Sequence, residues 1–158
     1  MRTGALAILA MAAMPALASD YVVIPLHADI AAPADAAWAR VGDFCAIETF
    51  AKLPCKLVSG TGGVGSIRSL ANGVIQEPML ARTSHSYTYG QIVGPNKGLD
   101  YHGTLAIEPT GPDTSRVDYT LVYDQSLLPA DKRDAMRTQL PSRFQVFVDA
   151  VKAMAEAK

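Results

Sequence analysis

GSIRSLANGVIQEPMLA, residues 65–81, is the stretch from which the fold is read. Two runs of strand character, Gly65 to Ala71 and Val74 to Ala81, flank Asn72-Gly73. That dipeptide suits a two-residue type I′ turn, which needs positive φ at both centres, so the stretch predicts a β-hairpin. Arg68 shares a strand face with Ser66 and Leu70, and Glu77 sits in an otherwise apolar strand. Across the turn the two charges can lie near each other. Either they point inward, where each demands a partner or a ligand, or they form a solvent-exposed ion pair on the convex face.

On both sides of the hairpin the strand pattern continues. Lys56 to Ser59, Ser84 to Val93, Tyr101 to Pro109 and Arg116 to Asp124 read as strands, separated by turn chemistry at Gly60 to Gly63, Gly94-Pro95-Asn96 and Gly111-Pro112-Asp113. Upstream, Tyr21 to Ile30 predicts a first strand. Pro33 then opens a short helix over Ala34 to Val41, and Gly42 to Leu53 is a second short helix or a loop folded over the core. Past Leu128-Pro129 the pattern turns helical, with Leu140, Phe144, Phe147, Val151 and Met154 on one face. Pro141 either kinks this helix or begins a second one after a shorter helix from Ala130 to Gln139. The fold class that follows is α+β: a curved antiparallel sheet wrapped around one long C-terminal helix. Strong curvature leaves that contact incomplete, which opens a cavity between sheet and helix.

At the N-terminus, Arg2, the apolar run Leu6 to Met14, and Ala16-Leu17-Ala18 after Pro15 have the three-part layout of a secretory signal peptide. The run is shorter than the ~20 residues a bilayer span needs, so stable membrane insertion after cleavage is not expected. Residues 1–18 are therefore assigned to the leader and 19–158 to one domain in the periplasm or outside the cell. Loss of Arg2 leaves thirteen basic against fifteen acidic residues, and no basic run stands out. Nucleic acid is not an expected partner. Lys132, Arg133, Arg137 and Arg143 are spaced like the solvated side of a helix. In an oxidising compartment Cys45 and Cys55 read as a disulfide, with two buried thiols or a catalytic cysteine as the alternatives.

Gly60-Thr61-Gly62-Gly63-Val64-Gly65 has the glycine spacing of a dinucleotide loop, but a strand rather than a helix follows it, so a hairpin connection is the reading. His27, His85 and His102 stand singly, and neither a metal site nor a cofactor is expected. The tyrosines carry more information. Tyr87 and Tyr89 share one strand face, Tyr119 and Tyr123 share another with Leu121, and Tyr101 lies on a face with Gly103 and Leu105. Converging, they would form an aromatic box with a few polar points; separately, they are ordinary strand packing.

Residues Ile30 to Phe44, with Trp38 at the centre, resemble the opening of START-like or Bet v 1-like proteins, a group that includes bacterial polyketide cyclase/dehydrase-type members and the plant abscisic-acid receptors. Gly65-Ser66-Ile67-Arg68, Glu77 with Leu80, Ser86 to Tyr89 with Ile92, Tyr101 with Thr104-Leu105, and Val117 to Asp124 extend the likeness over nearly all of the mature chain. The resemblance implies the helix-grip fold. It also implies that Arg68, Leu70, Glu77, Tyr87, Tyr89, Tyr101, Gly103, Tyr119, Leu121 and Tyr123 face the cavity, with Phe144, Phe147 and Val151 on its helical wall. The Leu70 to Gly73 turn takes the place of the receptors' gating loop without its Ser-Gly-Leu-Pro-Ala sequence. Their inward lysine is not evident, and Tyr119 stands where they carry an inward glutamate, so an acidic hormone of that kind is not implied.

Two functions compete for such a pocket. One is an exported binder or carrier of a small apolar or aromatic molecule. The other is a cyclase, lyase or isomerase acting on a similar substrate, for which Glu77, His85, or a tyrosine paired with Arg68 would supply the acid or base. No nucleophile motif, metal set or cofactor motif supports a reaction, and the first reading is preferred.

Overall fold

The computed structural model describes residues 18–157, so the leader expected at the N-terminus lies, apart from Ala18, outside the described residues. Seven strands form one antiparallel sheet: β1 (Tyr21–Ile30), β2 (Cys55–Ser59), β3 (Ile67–Leu70), β4 (Ile75–Arg82), β5 (Ser86–Gly90), β6 (His102–Pro109) and β7 (Ser115–Asp124). Their order is β1-β7-β6-β5-β4-β3-β2, with β1 and β2 at the edges. An edge position explains why Pro25 is tolerated inside β1, since a missing ladder N–H is costly only between two neighbours. Alternation is clearest along β7, where Val117, Tyr119, Leu121 and Tyr123 are buried.

Helices α1 (Ala34–Val41) and α2 (Ile47–Ala51) follow β1, and α3 (Ala130–Ala155) closes the chain. The open reading of Gly42 to Leu53 thus resolves into a short helix, ended where Lys52 turns left-handed ahead of Pro54. Helix α3 runs unbroken through Pro141, so neither a second helix nor a shorter first one forms there. Packing of Leu140, Val148, Val151 and Ala155 into the core offsets the one hydrogen bond the proline removes. A disulfide joins Cys45 to Cys55 across a Cα separation of 5.5 Å. It ties the segment before α2 to the start of β2, and so fixes the short helix over one end of the sheet.

Two turns differ from the expected pattern. Between β3 and β4, Leu70 pairs with Ile75, leaving a four-residue connection in place of the two-residue type I′ turn. Ala71, Asn72 and Gly73 all adopt positive φ in it. For Ala71 this is a sparsely populated conformation whose steric cost is ordinarily avoided. The glycine cluster after β2 does form a hairpin connection, with Gly60, Gly62 and Gly65 at positive φ. Strand β5 stops at Gly90, short of the expected Val93, because Gln91 turns to hold the loop that follows.

Candidate functional site

Beneath the middle of α3 the sheet and helix do not close, and a cavity of about 120 Å³ remains. The strands β3, β4, β5 and β7 supply its floor through Arg68, Leu70, Ile75, Glu77, Tyr89 and Tyr119. Phe144, Phe147 and Arg143 come from α3, Ile47 and Leu53 from α2 and its end, and Gln91, Pro95 and Asn96 from the β5–β6 loop.

The hairpin at residues 65–81 places the polar end. Arg68 and Glu77 are register partners across β3 and β4, and both point inward, with 1% and 4% of their surfaces exposed. Arg68 Nε and Nη2 both meet Glu77 Oε2, at 2.9 and 2.7 Å, while Nη1 donates to the Phe44 carbonyl at 2.6 Å. Its guanidinium also lies over the rings of Phe44 and Tyr89, 4.4 and 4.8 Å from their centroids. Burial would lower the pKa of Arg68, but Tyr87 and Glu77 beside it outweigh that and hold it above the ordinary value. The guanidinium is therefore a fixed charge with nearly all its donors engaged. Glu77 Oε1, by contrast, receives only a 3.4 Å contact from Gln91 Nε2 and keeps acceptor capacity toward the cavity.

Next to this pair stands a chain of phenols. The hydroxyls of Tyr89 and Tyr119 are 2.7 Å apart, and Tyr101 reaches that of Tyr89 at 3.5 Å. Burial pushes Tyr89, Tyr101 and Tyr119 above the usual tyrosine value, so all three are neutral donors and acceptors across the physiological range. Gly103 matters here for space: a Cβ on it would collide with the ring of Tyr89.

Of the residues expected to face the cavity, Arg68, Leu70, Glu77, Tyr89, Tyr119, Phe144 and Phe147 line it. Tyr87 is instead packed against Trp38 and Phe44, and Tyr101 and Gly103 support Tyr89 from beside it. Leu121, Tyr123 and Val151 lie in the dry core away from the opening. His85 is remote as well. It sits in the β4–β5 turn with Nε2 2.6 Å from Asp35 Oδ1 and its ring edge-on to Trp38. Arg143 is exposed, in keeping with its spacing, and also stands at the cavity rim. Its i, i+4 relation to Phe147 was the available signal. Gln91, Pro95 and Asn96 carried none beyond turn chemistry, since only the course of the loop brings them over the opening. Among the described residues, no three His, Cys, Asp or Glu side chains come together as a metal site would need.

This geometry is matched by sequence: the family model described as polyketide cyclase / dehydrase and lipid transport covers residues 23–156. The chain belongs to that family. It is thereby a member of the Bet v 1-like, START-like superfamily, and its helix-grip architecture is the one the resemblance implied. Among solved structures, truncated norcoclaurine synthase from Thalictrum flavum is similar at 20% identity, over 92% of this chain and 100% of that one, with a TM-score of 0.68. The Zhui aromatase/cyclase from Streptomyces sp. R1128 aligns at 15% identity over 86% and 94% of the two chains, TM-score 0.69. Ara h 8.0201 aligns at 16% identity over 86% and 98%, TM-score 0.63. At such identities the likeness is one of fold. No curated protein matches the chain by sequence.

Proposed function

We propose that this protein is an exported carrier that holds one small aromatic or apolar molecule in the cavity between sheet and α3. The observation that carries the reading is the condition of the cavity's polar groups. Arg68 is held by Glu77, the Phe44 carbonyl and, more distantly, the Tyr87 hydroxyl, and the phenols satisfy one another, so the site is organised before any ligand arrives. Four aromatic rings, from Tyr89, Tyr119, Phe144 and Phe147, supply apolar wall. An engineered apolar cavity of about 150 Å³ holds a benzene-sized guest, which sets the scale for this one at a single ring. Export is supported by the leader-like N-terminus together with the Cys45–Cys55 bond. Likeness to a family described in part by lipid transport is compatible with carriage.

A second reading, a cyclase, lyase or isomerase, keeps one specific support. Glu77 Oε1 faces the cavity with acceptor capacity left, as a general base would. Native mass spectrometry of protein purified from its own cells identifies the ligand, and incubation of that ligand with fresh protein then separates the readings. The carrier reading expects the molecule to be returned unchanged, and Ile75→Trp, which fills the cavity, to lose it. Turnover by the wild-type protein would replace the carrier with the enzyme.

A further inference from the structure

Arg143 is the one described arginine that makes no ion pair or hydrogen bond with another described residue. The other six each donate to a carboxylate, a side-chain amide or a backbone carbonyl. Its own helix offers it no neutralising partner, because the residues three and four away are Leu140, Gln139, Val146 and Phe147. It is nonetheless a cavity residue. Since its side chain is exposed while Arg68 and Glu77 are buried, it stands at the mouth and they stand at the base.

The formal charges lining the cavity are Arg68, Glu77 and Arg143. The first two cancel within a hydrogen-bonded pair, which leaves one uncompensated positive charge at the opening of an aromatic cavity. A guanidinium in that position matches the planar fork of a carboxylate. Size points the same way. The cavity takes about one ring, so a substituent on that ring must remain at the mouth, where Arg143 and Pro95 are the exposed lining residues.

We propose that the ligand is a monoanionic aromatic acid, bound with its ring among Tyr89, Tyr119, Phe144 and Phe147 and its carboxylate paired with Arg143. This rests on the reading of the cavity as a ligand site and adds to it the charge and orientation of the guest. Arg143 thus becomes a specificity-determining residue, a role the solvated-face reading of the sequence did not give it.

Three probes of nearly equal size test the assignment: phenylacetate, phenylacetamide and phenethylammonium, each titrated by calorimetry into the mature, disulfide-bonded protein and its Arg143→Gln variant. Arg143 is exposed, so the substitution leaves the packed core intact, and circular dichroism checks that it does. The acid should bind about tenfold more tightly than the amide, and the ammonium ion most weakly. In Arg143→Gln the acid and the amide should bind alike, and added salt should erode the wild-type preference, because a rim charge is screened. Equal binding of acid and amide by the wild-type protein, or a preference that survives in Arg143→Gln, overturns the anionic assignment while leaving the cavity a binding site. If no probe binds and Ile75→Trp still retains the cellular ligand, the cavity itself is not the site, and both proposals fall.

Discussion

The interface between α3 and the sheet has two halves that do opposite things. Toward the C-terminus of α3, Val148, Val151 and Ala155 press onto a dry layer that includes Leu105, Ile107, Val117 and Leu121, none of which reaches solvent. Near the middle of α3, Phe144 and Phe147 are only half-buried and border the cavity, Phe144 with its ring 5.5 Å from that of Tyr119. The difference lies in what the strands contribute. In the sealed half, inward positions carry aliphatic side chains that interdigitate at close to crystal density. In the open half they carry Arg68, Glu77, Tyr89 and Tyr119, whose hydrogen bonds hold them at fixed places even where, as at Tyr119 against Phe144, a ring meets the helix. Polar satisfaction, more than a shortage of side-chain volume, keeps the cavity open.

Alkaline pH should break this contrast most severely. The open half contains phenols whose pKa values burial raises, so the folded protein holds their protons more tightly than the unfolded chain does. Their stabilising contribution is complete below the unfolded value of about 10 and is lost as pH climbs above it. Tyrosinate absorbance from these rings should therefore appear together with loss of the far-ultraviolet dichroism. Ionisation of all six tyrosines near their ordinary value with the fold intact would mean that the open half is wet throughout.

Glu77→Gln comes next. It leaves the Arg68 charge buried without its counter-ion, a change that typically costs about 3–5 kcal/mol. Urea denaturation measures it, and a cost under about 1 kcal/mol would show that water already compensates the pair. A matched pair of truncations then sharpens the comparison. Ile107→Ala in the sealed half should cost about 2–5 kcal/mol, whereas Phe147→Ala, beside an existing gap and only partly buried, should cost clearly less while weakening ligand binding more. Equal costs would dissolve the distinction between the halves. The smallest effect belongs to Tyr123, whose buried hydroxyl has no hydrogen-bond partner among the described residues. Tyr123→Phe removes that unsatisfied group with little change of shape, and should be neutral or stabilising by up to about 1 kcal/mol in the same denaturation experiment.

Much of the architecture was legible in the sequence, because it follows from local pattern. Strand alternation, turn residues and the apolar face of α3 are written in neighbouring positions, and the Arg68–Glu77 pairing follows from hairpin register to within the choice of face. That choice was not local. A strand face becomes inner or outer only when the whole sheet curves, and here β3 and β4 turn both charges toward α3. The same limit applies to Tyr87 and Tyr89. They share a face, yet Trp38 and Phe44 cover the first and leave the second to the cavity.

From sequence alone came the strand and helix order, the bond available to Cys45 and Cys55, and the inventory of aromatic and charged side chains within reach of one another. Tertiary structure decided which of them share a cavity. It set His85 against Asp35 at the surface, brought Gln91 and Asn96 over the opening, and placed the exposed Arg143 at the rim. The physical reason is range. Secondary structure answers to interactions over a few residues, whereas the edge of a cavity is where a curved sheet, a long helix and a loop cease to touch, which no single segment encodes.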